Sequence, residues 1–294
     1  MRPKTQLLWL TGVACNGNAH SFLNYPDLET FFESFAFVHH SIIDSPYTLH
    51  DVARGDLPCD ILLIEGAVSA HYTKAGVPLT EIIARYAAKA QAIVTVGTCA
   101  TFGGIFKESY EDASGLHYRG EEPIARFEAL REKTVSLSGC PIHPEILVDT
   151  LYALRDQIAL RLDAYLRPKD FYAYTVHNGC IRNEYFEYKV DNHRFGEKEG
   201  CMFYDHGCAA PYTHGSCNKI LWNEVNSKTR AGLPCMGCTE PFFPREGFFR
   251  TQKHMGIPQH LPLGVAKRTY LTLAGITKAF KIKRLEQDMY DDTI

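Results

Sequence analysis

The sequence predicts an α/β protein: a doubly wound, mostly parallel sheet domain over residues 1–166, followed by a mostly irregular domain over 167–294. Two observations predict it. In the first half, short apolar runs alternate with helix-like segments, the order expected of a parallel sheet with crossover helices. From about Arg167 to Pro262 that periodicity fades, and six of the ten cysteines fall between Cys180 and Cys238. A stretch with little regular structure and many thiols is usually organised around metal.

The elements follow in order. QLLWLTG (6–12) reads as a buried strand and leads into the turn Ala14-Cys15-Asn16-Gly17-Asn18. A helix is expected over His20 to Phe35, with Leu23, Phe31, Phe32 and Phe35 as its apolar positions. FVHHSII (37–43) and ILLIEG (61–66) are strand-like, the second a continuous apolar run of the kind buried on both faces. Residues 78–91 have helical composition, 92–98 form another buried strand, 124–133 a helix and 134–139 a strand. Pro144 to Leu160 carries the spacing of an amphipathic helix.

Parallel strands with right-handed crossovers place all their carboxyl ends on one edge. Cys15, Cys99 and Cys140 each follow a strand, and Glu65 ends one. Topology thus gathers three thiols and a carboxylate that the chain separates widely.

Composition narrows the function. With 31 Lys and Arg against 34 Asp and Glu, the formal net charge is −3, which gives no general attraction to nucleic acid. Ten cysteines in a chain of 294 residues without an evident export signal suggest metal or redox chemistry rather than disulfides. Cys15, Cys99 and Cys140 each lie near glycine or proline, where the backbone can approach a bulky inorganic centre. His177-x-x-Cys180, with Cys201 and Cys208, forms a second group. Cys217 with Pro234-Cys235-Met236-Gly237-Cys238 forms a third, because Cys-x-x-Cys on a glycine turn is a strong metal signal. Zinc and iron–sulfur centres both remain open on these grounds. Cys59 fits no group and reads as a buried core residue, and the Lys281-Lys283-Arg284 run as a solvated face.

Taken together these motifs resemble the small, electron-transferring subunit of nickel–iron (NiFe) hydrogenases over nearly the whole chain. The matching residues are LWLTG-x-x-Cys15, Glu65-Gly66-Ala67, Gly97-Thr98-Cys99, Gly139-Cys140-Pro141, His177-x-x-Cys180, Cys201, Gly207-Cys208, Cys217 and Pro234-Cys-x-Gly-Cys238. The resemblance implies a flavodoxin-like first domain and three iron–sulfur clusters. A proximal cluster would use Cys15, Cys99 and Cys140, and a medial 3Fe–4S cluster Cys217, Cys235 and Cys238. A distal 3Fe–4S or 4Fe–4S cluster would use His177, Cys180, Cys201 and Cys208. It also implies a partner large subunit that carries the nickel–iron site, so no catalytic residue is expected in this chain.

Three departures stand out. Asn18 occupies the place where the family usually has a fourth proximal cysteine. The proximal cluster could then be 4Fe–4S with Asn18 or water on the fourth iron, or 3Fe–4S with that corner empty; His20 is a further candidate. One thiolate fewer removes negative charge, which favours a higher potential and hydrogen uptake. Ala14 stands where many relatives carry glutamate, and six residues rather than five separate Cys201 from Cys208.

The resemblance further implies hydrogen oxidation, with electrons passed to a quinone or a soluble carrier, in a higher oligomer of heterodimers. A hydrogen-sensing complex built from the same parts is the alternative. A zinc-organised module and a relative of the quinone-reducing iron–sulfur component of respiratory complex I are lesser competitors. The lack of a twin-arginine pair and of a hydrophobic tail leads to an expectation of cytoplasmic residence, with peripheral association at the inner face of the membrane.

Overall fold

A computed structural model describes residues 3–250 and Thr272. The expected solvated run at 281–284 lies outside these residues. The chain divides into two compact units, Met1–Ala173 with Cys238–Phe243, and Tyr174–Gly237 with Pro244–Ile294.

The first unit runs β1 (Thr5–Thr11), α1 (Gly17–Phe22), α2 (Leu28–Ser34), β2 (Phe35–His39), α3 (Leu49–Arg54) and β3 (Ile61–Glu65). The small hairpin β4 (Thr73–Lys74) and β5 (Val77–Pro78) precedes α4 (Leu79–Lys89), β6 (Ala92–Val96) and α5 (Thr98–Phe102). A second hairpin, β7 (Tyr118–Arg119) and β8 (Glu122–Pro123), leads to β9 (Thr134–Leu137), α6 (Pro144–Arg155) and α7 (Lys169–Tyr172).

The five-stranded sheet has the order β2-β1-β3-β6-β9, parallel throughout. This is the flavodoxin-like order, with its reversal of direction between β1 and β3. Strand side chains alternate between the two faces. Leu8, Leu10, Leu62, Ile64 and Ile93 pack with Leu79, Ile82, Ile83 and Tyr86 of α4. Trp9 joins an aromatic cluster with Phe22 of α1, Phe37 of β2 and His40, while Phe31 of α2 stacks on Phe35.

The helix expected over His20–Phe35 is two helices. Pro26 removes a donor and disfavours helical geometry at the residue before it, and Asp27 caps the restart by accepting from Thr30 N at 3.1 Å. Residues 124–133 yield only a 3₁₀ stretch, Glu128–Lys133. The helix expected to reach Leu160 stops at Arg155, just ahead of Gln157 at φ +56°. Helices α3 and α5 are too short for periodicity to reveal.

His40 and His117 are buried, and burial pushes both down to about 4. His40 Nδ1 accepts from Ile42 N and Ile43 N, which fixes the neutral ring. The unfolded chain takes up these protons near 6.5 and the folded chain only near 4, so their contribution to stability is present above 6.5 and is lost on acidification to 4. Each histidine is worth roughly 1–2 kcal/mol, allowing for screening. Urea midpoints between pH 7 and pH 4 should fall for the wild type and fall less for His40→Phe.

The second unit has few regular elements: α8 (Asn183–Tyr188), α9 (Phe203–His206) and 3₁₀ turns at Val176–Gly179 and Ala210–Tyr212. Its core joins Val176, Phe186, Met202, Phe203 and Ala210 to the cysteines Cys201, Cys208 and Cys235.

Candidate metal centres

At the carboxyl edge of the first unit, strand register aligns the strand ends. Thr11 pairs with Glu65, Glu65 with Val96, and Val96 with Leu137. Cys15, Cys99 and Cys140 each follow one of these strands by three or four residues and precede α1, lie in α5, or precede α6. The turns are stitched together: Gly97 N donates to Leu137 O at 2.7 Å, Thr98 N to Gly139 O at 2.9 Å and Gly139 N to Thr98 Oγ1 at 2.9 Å. Cys15 and Cys140 are exposed, while burial, with Cys140, Cys15 and Glu65 adding to it, pushes the Cys99 thiol up to about 12.

Glu65 is fully buried at the centre of this edge. It accepts from Trp9 Nε1 at 2.9 Å, Asn18 N at 3.0 Å, and Asn18 Nδ2 and Ala19 N at 3.3 Å. A buried carboxylate is tolerable only when so solvated by donors. Gly97 has φ +88°, and a Cβ there would lie 2.4 Å from Asn18 Nδ2. Gly97→Ala should therefore destabilise the first unit by roughly 2–3 kcal/mol, read as a lower urea midpoint.

In the second unit, His177, Cys180, Cys201 and Cys208 line one recess, together with Arg182, Met202, Phe203 and Thr229. The longer spacing between Cys201 and Cys208 is taken up by α9, which Gly207 closes at φ +59°. Both cysteines still reach the recess. Backbone amides point at the sulfurs: Arg182 N to Cys180 Sγ and Phe203 N to Cys201 Sγ at 3.4 Å, Cys235 N to Cys208 Sγ at 3.2 Å. Burial pushes the Cys201 and Cys208 thiols up to about 12. Burial, with the charge of Lys189, lowers His177, which keeps the imidazole neutral and able to donate a lone pair.

Sequence reading missed Arg182, because nothing in an irregular segment marks a charged side chain as buried. It is 2% exposed. Its Nε donates to Thr229 O at 2.7 Å, its Nη1 to Glu199 O and Gly200 O at 2.8 Å, and its Nη2 to Glu197 O.

Of the third group, Cys217 and Cys235 fall in the second unit and Cys238 in the first. Cys59 lies in the sheet core, where burial pushes its thiol up to about 12.

Among the described residues, no three His, Cys, Asp or Glu side chains converge as a single metal ion requires. Zinc draws its thiolates to about 2.3 Å of one point, whereas an iron–sulfur cluster spreads its ligands round a larger cage. The donor set fits such a cluster. Buried thiols lose the desolvation penalty of their anions only beside a strong cationic centre, and amides aimed at sulfur suit that role.

Two family models match. Residues 172–250 match the C-terminal domain of the NiFe/NiFeSe hydrogenase small subunit, and residues 15–154 match the 20 Kd subunit of NADH ubiquinone oxidoreductase. The F420 non-reducing hydrogenase II small subunit of Methanosarcina mazei is 30% identical over 290 residues, covering 82% of this chain and 74% of its own length. The chain belongs to the NiFe hydrogenase small-subunit family. The match over 172–250 excludes the complex I competitor, whose likeness ends with the first domain.

The hydrogenase small subunit from Solidesulfovibrio fructosivorans, a periplasmic NiFe protein, is 36% identical over 174 residues, covering 58% of this chain. The chain spans only about half of that relative, 52% of its length. In structure the chain is similar to the NiFeSe hydrogenase of Desulfovibrio vulgaris Hildenborough, with a TM-score of 0.72, 25% identity, and coverage of 85% of this chain and 98% of the other. The α/β fold with its five-stranded parallel sheet is thus that of hydrogenase small subunits.

The expected cytoplasmic location is corrected by these relatives, several of which are periplasmic by name. The expectation leaned on the lack of a twin-arginine pair and of a hydrophobic tail, and such an absence does not place a protein on either side of a membrane. Among the described residues, no helix is long and apolar enough to cross a membrane.

Proposed function

We propose that this protein carries electrons away from a partner large subunit in which hydrogen is oxidised at a nickel–iron site. The observation that carries the reading is the recess lined by His177, Cys180, Cys201 and Cys208, four candidate ligands of the right chemistry at one place. They would hold a distal cluster of 3Fe–4S or 4Fe–4S type, Cys15, Cys99 and Cys140 a proximal one, and Cys217, Cys235 and Cys238 a medial 3Fe–4S one. When bound, such clusters supply one-electron carriers.

The chain's own residues do the rest. The strand ends hold three thiols at one edge. The amides of residues 182, 203 and 235 face sulfur atoms, where they favour added electron density. Buried Arg182 and Lys189 place positive charge beside the distal ligands, which raises the affinity for an electron. The same direction follows from the missing proximal thiolate, so the chain is suited to uptake of hydrogen, with a quinone or soluble carrier as acceptor and a higher oligomer of heterodimers as the assembly. The sensing alternative draws no support from the named relatives.

The test is to purify the chain with its large subunit. Iron and acid-labile sulfide equal to three clusters per chain, and hydrogen-dependent reduction of an artificial dye, are expected. A zinc-containing, sulfide-free protein would refute the reading.

A further inference from the structure

The turn that carries Cys15 has Asn18 where a fourth thiolate would stand, and the side chain of Asn18 is 8% exposed. Each of its polar atoms is engaged by the protein. Oδ1, the atom able to bind iron, accepts from Ile142 N at 2.9 Å. Nδ2 donates to Glu65 Oε1 at 3.3 Å and Val96 O at 3.4 Å. The carboxamide lies so close to Gly97 that no side chain fits there. On the far side, Ser21 Oγ donates to Ile142 O at 2.6 Å, so both main-chain groups of Ile142 are held from α1. Asn18 thus ties the Cys15 turn to the residues just before Cys99 and just after Cys140.

Two neighbouring side chains do not stand in for it. His20 is exposed on α1, and the oxygens of Glu65 already take four donors. A carboxamide oxygen is a weaker iron ligand than a thiolate, and here it would have to give up a buried amide to bind at all.

We infer that Asn18 is a brace and not a ligand, so that the first centre is held by Cys15, Cys99 and Cys140 alone and takes a three-iron cluster. This rests on the iron–sulfur reading above and goes beyond it by naming the cluster type and the role of Asn18.

The experiment uses the purified complex with its large subunit, oxidised anaerobically. Integrated paramagnetic resonance counts the three-iron spins, and iron analysis counts the metal. Asn18→Cys is expected to remove one three-iron spin per chain and add one iron, because a fourth thiolate completes the cage. Asn18→Ala is expected to leave the wild-type spin count unchanged while lowering the thermal midpoint. If Asn18→Ala gains a three-iron spin and loses an iron, Asn18 is a ligand and the inference falls. Should Asn18→Ala not fold, Asn18→Cys decides: iron and spin counts equal to wild type overturn it. A wild-type complex lacking iron and sulfide altogether would bring down the functional reading instead, a result distinct from any of these.

Discussion

Arg182→Lys should strip the second unit of the cluster proposed at His177, Cys180, Cys201 and Cys208. The guanidinium has five donors in a fixed fork, and four of its contacts reach the carbonyls of Glu197, Glu199, Gly200 and Thr229. The first three belong to the loop that leads into Cys201, and Thr229 ties that loop to a distant segment. A lysine has three donors at one point and cannot span them. Glu199 O keeps the donor Asn192 Nδ2 at 3.0 Å, but each of the buried carbonyls of Gly200 and Thr229 left without a donor costs roughly 1–3 kcal/mol. The readout is iron per chain, which should drop by one cluster, about three or four atoms, with the first unit's melting unchanged. Full iron content in the lysine variant would show that the loop is held by other means.

Glu65→Gln is expected to be nearly as damaging, in the other unit. The two carboxylate oxygens accept from four N–H groups that come from β1 and the start of α1. Glutamine offers one oxygen and one NH2, so one end of the amide must face a donor: Trp9 Nε1 at one side, or the three N–H groups of Asn18 and Ala19 at the other. The cost is roughly 2–4 kcal/mol. For a unit of this size that lowers the thermal midpoint by about 4–16 °C. Because Asn18 is held by the same carboxylate, the iron proposed at Cys15, Cys99 and Cys140 should also become easier to remove with a chelator. Unchanged melting and unchanged chelator kinetics would reduce Glu65 to a passive buried group.

How much of the molecule is legible in its sequence varies with the kind of signal. The sheet is legible because parallel strands buried on both faces are continuous apolar runs: LLWL, ILLIE and AIVTV announce themselves. Cysteine positions relative to those runs are legible for the same reason, and the strand register shows why: Thr11, Glu65, Val96 and Leu137 fall in one row. Helix limits are not, since a single proline at 26 or a left-handed residue at 157 ends a pattern that apolar spacing would continue. The partners of Glu65 are beyond reach, because Trp9 and Ala19 lie 56 and 46 residues away and nothing in their local sequence marks them as donors.

The sequence by itself determined the strand order's ingredients, the three groups of candidate ligands and the family to which the motifs point. These are local properties, set by apolar runs and by cysteine chemistry at short spacing. Only the tertiary structure decided that Asn18 spends its carboxamide on Glu65 and the backbone, that Arg182 staples the Cys201 loop, and that four candidate ligands share one recess. Hydrogen bonds between distant segments depend on which strands become neighbours, and that is settled by burial of the whole core rather than by any residue's near neighbours.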